Sequence, residues 1–215
     1  MIREGRTEAS GRGRNRRTFW LKHLRQWHWI SSGLCLIGML AFAVTGITLN
    51  HASEIESRPI VTTKELTLPR GLLGQLAERR PGDERRLPWE VGAWLDAALA
   101  TPVGANAADW SDGEVYVGLP RPGGDAWVTI DRKTGDVLYE RTDRGWVAYL
   151  NDLHKGRNAG AAWRWFIDAF AVACTVFCVT GLLLLQLHAG SRPVTWPIVG
   201  LGLVFPLLLA ILFIH

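Results

Sequence analysis

The sequence predicts a membrane α-helical protein with three transmembrane helices and one α+β domain outside the bilayer. Three observations carry this. Apolar residues gather in the blocks 29–49, 163–187 and 194–214, with few charges in any of them. Each block is about 20 residues or longer, enough to cross a hydrocarbon core of roughly 30 Å at 1.5 Å per residue. Tryptophans sit where the blocks begin: Trp20, Trp27 and Trp29, then Trp163 and Trp165, then Trp196, the positions of interfacial aromatic belts. Between the first two blocks the patterning turns first helical and then period-two, as in a small folded domain.

The order of elements follows. Residues 1–27 form a basic tail in which Arg3, Arg6, Arg12, Arg14, Arg16, Arg17, Lys22 and Arg25 face only Glu4 and Glu8. Such a flank stays in the cytoplasm, and its partner is the anionic lipid surface rather than nucleic acid. The Gly/Arg-rich stretch up to Arg17 is expected to be disordered. The first block is preceded by a long tail and followed by no small-x-small cleavage site, so residues 28–51 read as a retained transmembrane helix, not a signal peptide. Three spans then put the 52–162 domain outside. Residues 163–188 return to the inner side, the 189–193 loop with Arg192 is cytoplasmic, and 194–215 cross again to leave His215 outside.

Within 52–162, residues 69–80 and 88–100 repeat apolar side chains at i, i+3/i+4: Leu72, Leu73 and Leu76, then Val91, Trp94, Leu95 and Leu99. Two helices are expected. From Ala107 onward, Glu114–Leu119, Ala126–Ile130 and Asp136–Glu140 alternate as strands. The loop Asp131-Arg132-Lys133-Thr134-Gly135 closes a hairpin, with Gly135 supplying the positive φ. No Ser/His/Asp arrangement, metal-spaced His/Cys cluster or apolar carboxylate pair occurs here, so this domain reads as a docking or binding module. Neither G-x-G-x-x-G nor G-x-x-x-x-G-K-[ST] occurs in the sequence, which excludes conventional nucleotide binding. The three cysteines, Cys35, Cys174 and Cys178, all fall inside predicted spans. No disulfide framework follows, and small buried thiols filling a packing seam is the commoner role.

The first two spans resemble one unit used twice: a Trp-rich start, a Thr-Gly pair (Thr45-Gly46, Thr180-Gly181) and a terminal His (His51, His188). The Thr-Gly pairs permit close helix approach, with each hydroxyl bonded to its own backbone. Chemistry therefore falls to the histidines. Topology sorts four of them into an outer pair, His51 and His154, and an inner pair, His28 and His188. Each pair joins two helices, as bis-imidazole ligation of haem iron requires. The bland alternative is four amphipathic anchors at the headgroups. On a straight helix His28 and His51 lie about 34 Å apart and about 140° out of phase, so the pattern allows one haem or two.

Certain runs carry a family resemblance: Trp27-His28-Trp29-Ile30, Thr45-Gly46 with Leu49-Asn50-His51, Asp152-Leu153-His154-Lys155-Gly156-Arg157, Trp165-Phe166-Ile167-Asp168 and Thr180-Gly181. Together they resemble the PepSY-associated transmembrane helix family in a short form. The run Ile130-Asp131-Arg132-Lys133-Thr134-Gly135-Asp136-Val137 is similar to the D-x-x-T-G-x-V hairpin of PepSY domains. The resemblance implies a bacterial inner-membrane protein with a periplasmic PepSY-like domain, in a family whose larger members include haem-containing reductases of ferric siderophores. His28, His51 and His154 match family histidines, and His188 takes its place by topology. The larger reductases have four spans, whereas three are expected here.

The resulting expectation is an inner-membrane subunit holding one or two b-type haems and passing electrons to a periplasmic acceptor such as a ferric siderophore or other ferric chelate. Electrons come from a membrane quinol or a redox partner, since the chain encodes no reductant site. Enzymatic activity would be ferric-chelate reduction, alone or as part of a larger assembly. The competing reading is a non-redox accessory protein whose outer domain binds a periplasmic or membrane partner.

Overall fold

The computed structural model describes residues 4–55, 58–77 and 85–214. Arg3, His215 and the final residues of the helix expected over 69–80 lie outside the described residues. The chain divides into two compact units, Met1–Ala41 with Phe166–His215, and Phe42–Trp165.

Helix α1 covers Glu4–Asn50. It begins well before the first apolar block, so the basic stretch expected to be disordered is helical instead. Arg and Glu favour helix and no proline occurs before Pro59 to interrupt it, and these outweigh the cost of Gly5, Gly11 and Gly13. Helix α5 (Gly160–His188) and helix α6 (Thr195–Phe213) supply the other two long apolar segments, and all three are long and apolar enough to cross a membrane. Helix α6 buries none of its residues and carries Pro206 within its length.

In the first unit, α1 and α5 run antiparallel along a seam of small residues. Ser31 and Cys35 are buried on α1, and Cys174 on α5 lies within hydrogen-bonding reach of Cys35. Farther along, Gly38 receives the ring of Phe170, which occupies the space a β-carbon would need. Small residues at this spacing let backbones approach, the usual basis of helix association where the hydrophobic effect offers no drive. Cys35 and the half-buried Cys174 thus fill the seam as expected, whereas Cys178 is exposed.

The second unit is built on a six-stranded antiparallel sheet. Its strands are β1 (Ile60–Thr67), β2 (Arg85–Arg86), β3 (Ala107–Trp110), β4 (Glu114–Gly118), β5 (Gly124–Asp131) and β6 (Asp136–Asp143), in spatial order β1-β6-β5-β4-β3-β2. Helices α2 (Arg70–Ala77) and α3 (Trp89–Leu99) cover one face. Leu76, Val91, Leu95 and Leu99 meet Trp110, Val115, Val117, Val128, Ile130 and Val137 in one core. The expected hairpin is present. Asp131 accepts backbone N–H bonds from Lys133 and Thr134, and Gly135 adopts φ 79°. Those N–H donors, Thr134 foremost, hold the Asp131 carboxyl below the usual carboxylate range.

Beyond the expected strands β4 to β6, the short strands β2 and β3, strand β1 and helix α4 were not expected. Strand β1 pairs along its whole length with β6, from Ile60 opposite Asp143 to Thr67 opposite Asp136. Helix α4 (Gly145–His154) follows β6 and ties the sheet to the last turns of α1. Its Asp152, buried, accepts the N–H of Gly123 at 2.8 Å. Its Asn151, also buried, meets the Thr48 hydroxyl of α1 at 2.8 Å. Gly123 is buried with φ 72°, and a β-carbon there would fall 2.8 Å from Tyr149 Cα, against α4 backbone. Gly123→Ala therefore combines left-handed backbone strain with a clash that cannot relax, and is expected to destabilise this unit by about 1–3 kcal/mol. Denaturant unfolding followed by tryptophan fluorescence checks this, and a variant within a few tenths of wild type would show that α4 does not hold the turn.

Candidate functional site: two imidazoles seated on Thr-Gly pairs

In each unit the structure brings together an imidazole and a Thr-Gly pair. In the first, His28 of α1 lies against α5. Its Nδ1 is 3.1 Å from Thr180 Oγ1 and 3.2 Å from the Phe177 carbonyl oxygen. The ring stacks on Phe177 with centroids 4.7 Å apart and planes at 14°. A β-carbon on Gly181 would stand 3.2 Å from His28 Cε1. In the second unit, His154 at the end of α4 lies against the last turns of α1. Its Nδ1 is 2.7 Å from Thr45 Oγ1, its ring is tilted over Phe42 at 4.8 Å, and Gly46 would place a β-carbon 3.6 Å from its Cε1.

The local sequence explains the likeness. Phe42-Ala43-Val44-Thr45-Gly46 and Phe177-Cys178-Val179-Thr180-Gly181 are one pattern, F-x-V-T-G, read twice. At 3.6 residues per turn the Phe, Thr and Gly at i, i+3 and i+4 share a helix face. The phenyl ring then lies beside the imidazole, the hydroxyl meets its Nδ1, and the glycine makes room. The sequence reading found the two Thr-Gly pairs and missed both phenylalanines, although the repeated pentapeptide was the signal for them.

Hydrogen-bond counting assigns the protons. A threonine hydroxyl has one hydrogen. That of Thr180 goes to the Val176 carbonyl oxygen at 2.6 Å in its own helix, which leaves its oxygen to accept the Nδ1–H of His28. The Thr45 hydroxyl lies 3.1 Å from the Phe42 carbonyl oxygen and 2.7 Å from His154 Nδ1, within bonding distance of both. His28 Nδ1 also meets the Phe177 carbonyl oxygen, which only accepts, so we assign His28 as the Nδ1–H tautomer with Nε2 carrying the lone pair. His51 and His188 reach the same tautomer locally, each donating Nδ1–H to the carbonyl oxygen four residues earlier, Ile47 at 3.0 Å and Leu184 at 2.7 Å. Carbonyl oxygens only accept, so the proton lies on Nδ1 in both.

Burial separates the four. His28 and His154 are half-buried, whereas His51 and His188 are exposed at their helix ends. The Nδ1–H bond of His51 stays within α1. His188 lines a cavity of about 320 Å³ with Leu185, Ala189, Arg192 and Thr195. Trp163, expected as an interfacial anchor, also has a bonding role: its Nε1–H donates to the Leu153 carbonyl oxygen at 2.9 Å, beside His154. Among the described residues no three His, Cys, Asp or Glu side chains converge to hold a metal ion directly.

A protein-family model, PepSY_TM-like, matches residues 19–215, from the last turns before the first apolar block through α6. The chain belongs to the PepSY_TM-like family. No curated protein and no solved structure matches it. The family match covers both F-x-V-T-G segments and all four histidines, and it agrees with the resemblance read from the sequence. With three membrane-crossing helices and an α+β domain, this PepSY_TM-like chain is a membrane protein.

The two glycine seats differ in tightness, which yields a prediction. Alanine gains about 0.5–1 kcal/mol over glycine in a helix. At Gly46 the added methyl is an ordinary contact, so Gly46→Ala should be neutral or slightly stabilising. At Gly181 the His28 ring is held by Phe177 and Thr180 and cannot yield the few tenths of an ångström required, so Gly181→Ala should be destabilising. Thermal denaturation of the detergent-solubilised protein should rank wild type and Gly46→Ala together above Gly181→Ala; the reverse order would refute this packing.

Proposed function

We propose that this PepSY_TM-like protein is a b-type haem electron-transfer subunit of the bacterial inner membrane, passing electrons to a periplasmic acceptor such as a ferric siderophore or another ferric chelate. The observation that supports it best is the seating of His28 and His154, each with Nδ1 at a threonine hydroxyl and its ring beside a phenylalanine. Iron-ligating histidines donate their second ring N–H to an oxygen that orients the ring and raises its basicity. Thr180 and Thr45 supply that oxygen here, and Phe177 and Phe42 restrict rotation of the rings. His28 and His154 would hold the iron of such a group through Nε2. His28 and His154 are the better-oriented candidates, with His188 and His51 proposed as the second ligands of an inner and an outer site. Haem b, when bound, supplies one-electron chemistry. The chain's own contribution is to orient imidazoles, surround them with apolar and aromatic side chains, and exclude water. Electrons reach it from a membrane quinol or a redox partner.

A second reading rests on the same hydrogen bonds. Thr-to-His bonds within apolar helix interfaces also hold helices together. On that reading the protein is a non-redox accessory factor whose outer domain binds a periplasmic or membrane partner.

The two readings predict different spectra. Membranes containing the protein, prepared from haem-supplemented cells, should show a Soret band and dithionite-dependent α and β bands. His154→Ala and His28→Ala should each remove part or all of that absorbance while membrane insertion is retained. A folded preparation without Soret absorbance would leave the accessory reading in place.

Orientation is proposed from the basic residues before the first apolar block, with residues 1–27 cytoplasmic, 52–162 periplasmic and 189–193 cytoplasmic. Reporter fusions should read cytoplasmic at residue 25 and periplasmic at residue 100. A cytoplasmic reading at residue 100 would dismantle the assignment of outer and inner histidines.

A further inference from the structure

Among the described residues, helices α2 and α3 cover one face of the sheet of the second unit. The opposite face is built from alternate residues of β1, β6, β5, β4 and β3, and these are exposed or half-buried where their neighbours in the central strands are core. The face is acidic: Glu65, Asp109, Glu114, Asp125, Asp131 and Glu140 point to it from all five strands. Arg144 offsets Asp125 through a 3.0 Å ion pair, and Arg86 stands at the far edge. The chain as a whole is nonetheless basic, with a net charge of +4, so the negative field is local.

Glu114 and Asp131 are directly opposite in the β4–β5 register; the turn bonds that Asp131 accepts from the Lys133 and Thr134 N–H groups offset the cost of like charges across the strands. In the middle of the face Tyr116 and Trp127 stack with ring centroids 6.4 Å apart, and Tyr116 is 43% exposed. Beside them lies a depression of about 580 Å³ lined in part by Glu65, Glu114, Thr129, Asp131 and Leu138. Exposed aromatic centres ringed by charge are how protein interfaces concentrate affinity, and aromatic faces attract Lys and Arg cations directly.

We propose that this open sheet face docks a cationic protein segment that lays Lys or Arg side chains over the Tyr116–Trp127 pair and among the surrounding carboxylates. The charge decides the occupant. Anionic headgroups and nucleic acid are repelled by the face. The carboxylates are spread in rows along the strands, and among the described residues no three converge to hold a metal ion. Five strands about 4.8 Å apart, three of them about 26 Å long and β3 and β4 about half that, offer roughly 500 Å². That falls short of the roughly 800 Å² per partner of a standard stable interface, so the association is transient and salt-sensitive. This inference is independent of whether haem is present.

The test uses the full-length protein in zwitterionic phosphatidylcholine nanodiscs and a fluorescent peptide of repeated Arg-Gly-Lys-Ser units, read by anisotropy. Wild type should bind the peptide and lose about tenfold in affinity on moving from low to physiological salt. Glu65→Gln with Glu140→Gln should weaken binding about tenfold, and Trp127→Ala several-fold. Glu54→Gln with Glu90→Gln removes the same charge away from this face and should leave binding unchanged. Equal losses from the two double variants would reduce the effect to net charge, and no loss from the Glu65/Glu140 variant would place the binding elsewhere; either result overturns the proposal. Circular dichroism of each variant confirms that the sheet is retained.

Discussion

In an apolar helix segment a threonine hydroxyl commonly places its hydrogen on a carbonyl of its own helix. Once it has done so, its oxygen remains as an acceptor facing the neighbouring segment. Much of the arrangement of this protein depends on that constraint. Thr180 bonds to Val176 and presents its oxygen to His28, and Thr45 meets His154 Nδ1 in the same position of its own pentapeptide. The glycine after each threonine then sets how close the ring can come, and the phenylalanine three residues before lies beside it. Five residues of sequence thus specify position and orientation of an imidazole without any charged group in the apolar segment.

Helix α4 joins this arrangement to the sheet. Its last turn carries three handles in four residues, and each grips something different: Asn151 holds Thr48, Asp152 holds the Gly123 turn, and His154 holds Thr45. The buried carboxylate of Asp152 is acceptable because a backbone N–H satisfies it. Asp143 holds the start of the same helix: its carboxylate accepts the Gly145 N–H and is flanked by Arg121 and Arg141, which together keep it below the usual carboxylate range. Both ends of a ten-residue helix are therefore fixed by carboxylate-to-backbone bonds, which is why so short a segment can hold a ring in place.

Much of this fold was legible in the sequence because the signals were long. Three apolar runs, the alternation in β4 to β6 and the Asp131–Gly135 loop each repeat a physical requirement over many residues. Strand β1 was not legible: at the sheet edge it is solvated on both sides, so Ile60–Thr67 has no alternation to read. Helix α4 was missed for a related reason, since Asn151, Asp152 and His154 look like loop residues until their partners are known. The histidines were found by type and topology, but topology fixes only the membrane level of a side chain, not its neighbour. The Thr-Gly pairs were seen as spacers when their hydroxyls also bond the imidazoles, and the phenylalanines that complete each seat were overlooked as ordinary apolar residues.

The position of β1 has a consequence for how the domain is made. Strands β2 to β6 follow one another in space as they do in sequence, whereas β1 precedes them all and pairs only with the last. Translation delivers β1 first, yet its partner does not exist until Asp143 has been synthesised. The meander can close by local contacts, while β1 must wait and then pay the loop-closure entropy of the whole intervening chain. Adding this strand is thus the slow, final event in assembling the sheet. Its Thr- and Lys-containing surface suits a segment that must stay soluble and unpaired until then.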